Sequence, residues 1–265
     1  MFEWPVGIIV PVQDPTPFSP FAPSDWATAL GTVAGRGFDG AELAITDPCL
    51  LDSAALSEAL DAEGLRLLSI TTGQSAAKEG LSLSSDDDGV RARAIQRIQD
   101  HMKLAKDHGA VVIVGSLRGA DGDLDLLVES LRACAASEPS VRLALEPLNR
   151  YESRLVNTVN DALGVIDRVG AENLGILFDT FHANIEEATP AASLIDAGDR
   201  LAHVHLADSN RWVPGYGHFR FAEIWEAMER IGYAGPTVFE PLPLPSADAL
   251  LKAGEAIRIR WSNTS

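Results

Sequence analysis

Two hydrophobic rhythms alternate along the chain. Short apolar runs rich in Val, Ile and Leu are separated by longer stretches whose apolar positions recur every three or four residues. The first rhythm suits a strand buried on both faces, the second an amphipathic helix. Strands are predicted at VGIIV (6–10), GAELAI (40–45), LRLLSI (65–70), AVVIVG (110–115), VRLALE (141–146), LGILFD (174–179), LAHVHLA (201–207) and PTVFE (236–240). Between the first two, SDWATALGTVAGRG reads as a helix with Ser24 as N-cap and a closing glycine. In DDDGVRARAIQRIQDHMKLAKDHGA, Val90, Ala94, Ile98, Met102 and Ala105 make one stripe that stops at Gly109. Residues 71–89, TTGQSAAKEGLSLSSDDDG, follow neither rhythm and read as a long loop, functional or mobile.

Eight strands alternating with eight helices fit a doubly wound sheet or a (β/α)8 barrel. No G-x-G-x-x-G follows the first strand and no P-loop follows any strand, which removes the common reasons for a nucleotide-binding sheet. The count of eight and the length of 265 residues favour an α/β fold that is a single TIM barrel over 1–265, with no linker or low-complexity tract to divide it.

Composition narrows the partners. A 46% apolar content supports a full core. With 38 acidic residues against 21 basic, a net charge of −17 and no Lys/Arg stripe, nucleic acid and anionic membranes are not expected partners. Cys49 and Cys134 match no metal or redox spacing, so a reducing compartment is expected. The opening MFEWPVGIIVPV lacks a basic n-region and is too short and proline-broken to span a bilayer, which predicts a cytoplasmic protein.

In a barrel, chemistry sits at the carboxyl ends of the strands. There the fifth strand ends in Glu146, the sixth in Asp179 and the eighth in Glu240, while the seventh carries His205. Apolar residues precede each carboxylate, and an unpaired charge ending a buried run is costly, so helix caps or surface ion pairs are poorer explanations. His203 faces the same way as His205 but one layer deeper, where packing or orienting is expected rather than ligation. Two Glu, one Asp and one His form a hard donor set suited to Mn²⁺, Mg²⁺ or Co²⁺. With Glu146 and Glu240 three strands apart in a ring of eight, one carboxylate can remove a proton beside a carbonyl and the other return one to the opposite face, which inverts that carbon.

The motifs EPLNRYE (146–152), DTFHANIEE (179–187), HVHLADSNRWVPGYGHF (203–219) and the final Glu of PTVFE resemble the xylose-isomerase-like TIM barrels of the sugar isomerase/epimerase superfamily. Within it the chain is similar to ketose 3-epimerases of the D-tagatose and D-psicose type. TTGQ…EGLSL (71–83), VIVGSLRG (112–119) and EPLPLP (240–245) most resemble the 5-keto-L-gluconate epimerases. The resemblance implies a divalent cation, foremost Mn²⁺, on Glu146, Asp179, His205 and Glu240, with Glu146 and Glu240 as the acid/base pair. It also implies that Glu152, His182 and Arg211 bind substrate, and that the protein forms a homodimer or homotetramer. The residues alone leave Glu152 open as a loop ion-pair partner, His182 as a helix-start polar group and Arg211 as a surface charge. Arg118, beyond the fourth strand, is placed to clamp a substrate carboxylate or to stand as a solvated loop arginine. A ketohexonate is the expected substrate on that basis, with a neutral ketose as its competitor. Trp212 is expected to supply an apolar wall above the site. An aldose–ketose isomerase of the hydroxypyruvate type, a lyase sharing the enediolate step and a non-catalytic sugar-binding barrel remain alternatives.

Overall fold

The computed structural model describes residues 4–262, with side chains to 254; residues 1–3 of the N-terminal stretch and 263–265 of the expected domain lie outside the described residues. Eight parallel strands close into a barrel in sequence order. They are β1 (Val6–Pro11), β2 (Gly40–Ala44), β3 (Arg66–Thr71), β4 (Val111–Val114), β5 (Leu143–Leu145), β6 (Leu174–Asp179), β7 (Leu201–Leu206) and β8 (Thr237–Phe239). Pairing of Val6 with Thr237 and Ile8 with Phe239 seals the ring. Around it run α1 (Trp26–Gly35), α2 (Ser53–Glu63), α3 (Gly73–Glu79), α4 (Asp88–His108), α5 (Leu124–Ser137) and α6 (Val159–Val169). The outer layer is completed by α7 (Thr180–Glu186), α8 (Pro190–Ala197), α9 (Phe221–Arg230) and α10 (Ala247–Ser262).

The helix stripe read from the sequence is the one α4 buries. Ala94, Ile98, Met102 and Ala105 have no exposed surface, and the helix ends on Gly109 at φ +63°. The fully buried Ile98 and Met102 side chains each contribute about 1.5–3 kcal/mol of transfer free energy, and the alanines less. Two expectations need correction. A 3-10 turn at Pro23–Asp25 precedes α1, so Asp25 rather than Ser24 holds the N-cap position, without a side-chain cap bond. The stretch 71–89 is not structureless: it contains α3, and Leu81 and Leu83 are buried. Its polar, glycine-punctuated composition concealed a helix of only seven residues.

Inside the barrel, side chains stack in layers. Leu68 fills the floor so closely that a Cβ at Gly7 would lie 2.6 Å from its Cδ1, and one at Gly40 2.8 Å from its Cγ. At Gly40 the backbone carbonyl of Arg66 would be closer still, so both glycines answer to close packing against β3. Ile9, Ala44 and Val238 pack with Leu68, and Val111, Ile113, Ala144, Leu177 and Ala202 form a second apolar cluster. Above this floor the interior turns polar, with Glu42, Ser69, His203 and His205 fully buried. Among the described residues no helix is long and apolar enough to cross a membrane.

Candidate functional site

Polar donors converge at the carboxyl end of the barrel. Glu146 follows β5 directly, Asp179 ends β6, His205 lies in β7 and Glu240 follows β8. One ligand atom from each lies within 4.8 Å of the others. His205 Nδ1 stands 3.2 Å from Glu240 Oε2, 3.9 Å from Glu146 Oε1 and 4.0 Å from Asp179 Oδ2. Asp179 divides its two oxygens between tasks. Oδ1 caps α7 by accepting from the backbone N–H of Phe181 (2.7 Å) and His182 (3.3 Å), which leaves Oδ2 for the cluster.

Arg211 spans the group, donating from Nη1 to Asp179 Oδ2 (3.2 Å) and from Nη2 to Glu240 Oε2 (2.6 Å). Its guanidinium lies 4.7 Å from the ring centres of both Phe18 and Phe181, an aromatic bracket that holds a cation. The backbone of Arg211 is left-handed at φ +62°, a strain of about 1–3 kcal/mol for a non-glycine residue. Buried Asp208 steadies that turn: its carboxylate accepts from the backbone N–H of Ser209, Gly215 and Phe219.

A cavity of about 280 Å³ opens over this cluster, with Glu146, Glu152, His182, Arg211 and Glu240 on one wall. Pro15, Phe18, Gln74 and Lys78 form the facing wall. A family model described as a xylose isomerase-like TIM barrel matches residues 30–258. The chain belongs to that family. It is 33% identical over 233 residues to a D-psicose 3-epimerase of Enterocloster bolteae, covering 82% of this chain and 77% of the relative. An L-ribulose 3-epimerase of Mesorhizobium japonicum is 31% identical over 253 residues, covering 91% and 83%. Among solved structures, a Methylomonas D-allulose 3-epimerase in complex with D-allulose superposes with a TM-score of 0.82 at 25% identity, covering 98% of each chain.

In this xylose isomerase-like barrel, burial sets the electrostatics. Burial and the facing Glu240 carboxylate push Glu146 well above the usual carboxylate range. Asp179 is equally buried, yet the charges of Arg211, His182 and His205 outweigh that and hold it at about 2. For His205, burial favours the neutral ring, but the carboxylates of Glu42 and Glu240 override it and raise it well above the usual imidazole value. Three crowded carboxylates and an imidazole nitrogen, His205 Nδ1, with no hydrogen-bond partner form a site that a divalent cation fits.

His182 is held from behind. The backbone N–H of Asn149 donates to its Nδ1 (3.2 Å), and burial lowers its pKa to about 4, so the ring is neutral with its remaining proton on Nε2. Arg211 Nη1 lies 3.2 Å from that nitrogen, so guanidinium and imidazole stand side by side on the cavity wall. Glu152 sits at the mouth, accepting from Asn149 Nδ2 (2.8 Å).

Two expectations fail here. Arg118 is fully buried rather than on the rim, and its guanidinium donates to the carbonyls of Gly115, Leu155 and Val156. It braces the loop that follows β5 and does not line the cavity. Arg118→Met is therefore expected to lower stability by about 1–3 kcal/mol in all, since the Arg118 N–H, the Ser153 hydroxyl and the Leu148 N–H still donate to the carbonyls of Gly115, Leu155 and Val156. Turnover of neutral and acidic sugars should fall by the same factor, checked by urea unfolding and parallel assays. The apolar wall comes from Phe18 and not from half-buried Trp212, which lines no part of the cavity. Phe18 carried no signal because it lies in a proline-rich loop far from the ligand motifs. Glu42 was also overlooked, although its place inside the apolar run GAELAI is the same kind of signal that marked Glu146.

Proposed function

We propose that the protein is a divalent-metal-dependent epimerase that inverts the carbon beside the carbonyl of a neutral ketose. The observation that carries this reading is the convergence of Glu146, Asp179, His205 and Glu240 under a cavity of small-sugar size. A divalent cation, foremost Mn²⁺ with Mg²⁺ and Co²⁺ as alternatives, would be held by those four residues and would supply Lewis-acid polarisation of the sugar oxygens. One of Glu146 and Glu240 takes the proton from the carbon next to the carbonyl. The other delivers a proton to the opposite face of the planar enediolate. Arg211 and the Nε2–H of His182 donate to the oxygen that gains charge, and Glu152 accepts from a sugar hydroxyl at the mouth. Phe18 shields the reacting carbon from water.

Neutral ketoses are favoured over sugar acids by charge. Among the described residues lining the cavity, each cation already has an acidic partner: Arg211 has Asp179 and Glu240, and Lys78 has Asp14 at 3.2 Å. A substrate carboxylate would meet buried acids and, among the side chains, no uncommitted cation. The relatives named for D-psicose and L-ribulose support the same substrate class.

The decisive experiment is proton NMR of D-psicose, L-ribulose and a ketohexonate incubated with the protein in D₂O. Deuterium is expected at C3 together with the C3 epimer, with loss of exchange on chelation and its return on adding Mn²⁺. Label at C1 alone would make the protein an aldose–ketose isomerase. Thermal stabilisation by sugar without exchange would make it a binding protein.

A further inference from the structure

Beneath the ligand cluster lies a carboxylate that the proposed chemistry does not use. Glu42, in the middle of β2, has no exposed surface. Its Oε2 accepts from Ser69 Oγ (2.6 Å) and lies 3.1 Å from His203 Nε2 and 3.0 Å from His205 Nε2. The two imidazoles stand edge to face with centres 4.9 Å apart, so each restricts the rotation of the other. An ionised carboxylate only accepts hydrogen bonds. Nε2 of His205 must therefore carry a hydrogen, and Nδ1 is the nitrogen that faces Glu146, Asp179 and Glu240. Nδ1 itself has no hydrogen-bond partner.

We infer that Glu42 is a positioning residue that fixes the tautomer and ring orientation of His205, so that Nδ1 is the nitrogen offered to the cation. His203 is the second half of this brace. It occupies the same Glu42 oxygen and blocks the ring flip that would replace Nδ1 of His205 by Cδ2 at the ligand cluster. The inference rests on the proposed metal site and adds a charge directly behind one of its ligands. Partners of this kind typically change metal affinity by about 10–100-fold.

Two measurements test it. In the wild-type protein loaded with Co²⁺, proton NMR is expected to show a strongly shifted, solvent-exchangeable resonance from the Nε2–H of His205. Its assignment to Nε2 is read from the carbon-bound ring protons: with Nδ1 ligating, only Cε1–H lies beside the metal and relaxes fast, whereas ligation through Nε2 would broaden Cε1–H and Cδ2–H alike. Glu42→Gln keeps the shape of the side chain but not its charge. It should weaken Mn²⁺ binding, followed by EPR of free Mn²⁺, by about 10–100-fold. Turnover should recover toward the wild-type value when Mn²⁺ is raised to saturation. Equal Mn²⁺ affinity in the two proteins, or a His205 proton placed on Nδ1, overturns the inference while leaving the metal site intact. Failure of the wild type to bind Mn²⁺ overturns the metal site, and the inference with it.

Discussion

Glu146→Gln and Glu240→Gln are each expected to lower kcat at saturating metal by about 10²–10⁴-fold, the usual contribution of a positioned acid or base. The two losses should not multiply in the double variant, because removal of either group stops inversion. Label exchange separates them further. Each single variant retains one carboxylate able to reach one face of the sugar carbon, so residual deuterium uptake should occur in only one of the two epimers, and in opposite epimers for the two variants. Uptake from both epimers by either variant would refute two-sided proton transfer.

The same substitution has an expected effect on stability, with a definite sign. Burial and Glu240 push Glu146 upward, so the metal-free folded protein holds this proton more tightly than the unfolded chain does. That contribution is fully present below the ordinary carboxylate value of 4.5 and is lost as pH rises above it. Glu146→Gln removes the dependence. At neutral pH and with chelator present, its unfolding midpoint should lie above that of the wild type, the mark of a residue kept for activity at a cost in stability. Differential scanning calorimetry at several pH values measures this directly.

Gly115→Ala is the second change with a large expected effect. A Cβ at this position would lie 2.4 Å from Glu146 Oε2, and the only atoms within 4 Å belong to that carboxylate. An exposed glutamate would move aside at little cost, but this one is buried and belongs to the ligand cluster. Displacement of a reacting group by about 1 Å can lower the rate by about 10²-fold, and kcat/KM is expected to fall by that order. Circular dichroism melting should change little, since no core packing is disturbed. An active Gly115→Ala protein would mean that the observed carboxylate position is not the working one.

Much of the barrel was legible because each strand is buried on both faces and therefore reads as an unbroken apolar run. LGILFD matches β6 at both ends, and the other seven differ at their ends by no more than two residues. The ligand cluster was legible for the same reason, since a carboxylate closing an apolar run stands out. Glu42 breaks the rule of reading only strand ends: it acts from mid-strand, one layer down, through another side chain. Arg118 failed differently. Its place just past β4 was correct, but nothing in GSLRGADG reveals that three backbone carbonyls would hold its guanidinium inside. The helix α3 escaped notice because seven residues, about two turns, are too few to show a period.

The two walls of the cavity come from different parts of the chain. Every carboxylate, imidazole and guanidinium assigned to the reaction belongs to strands five to eight or to the segments that follow them, whereas Pro15, Phe18, Gln74 and Lys78 follow strands one and three. On the proposed reading, the groups that move protons and part of the surface that meets the sugar are thus encoded in different stretches of one polypeptide. A library randomised over positions 15–17 and 74–78, sparing Phe18 against Arg211, could explore new substrates while the reactive groups stay in place, a route by which a single ancestor could diversify its diet without relearning its chemistry.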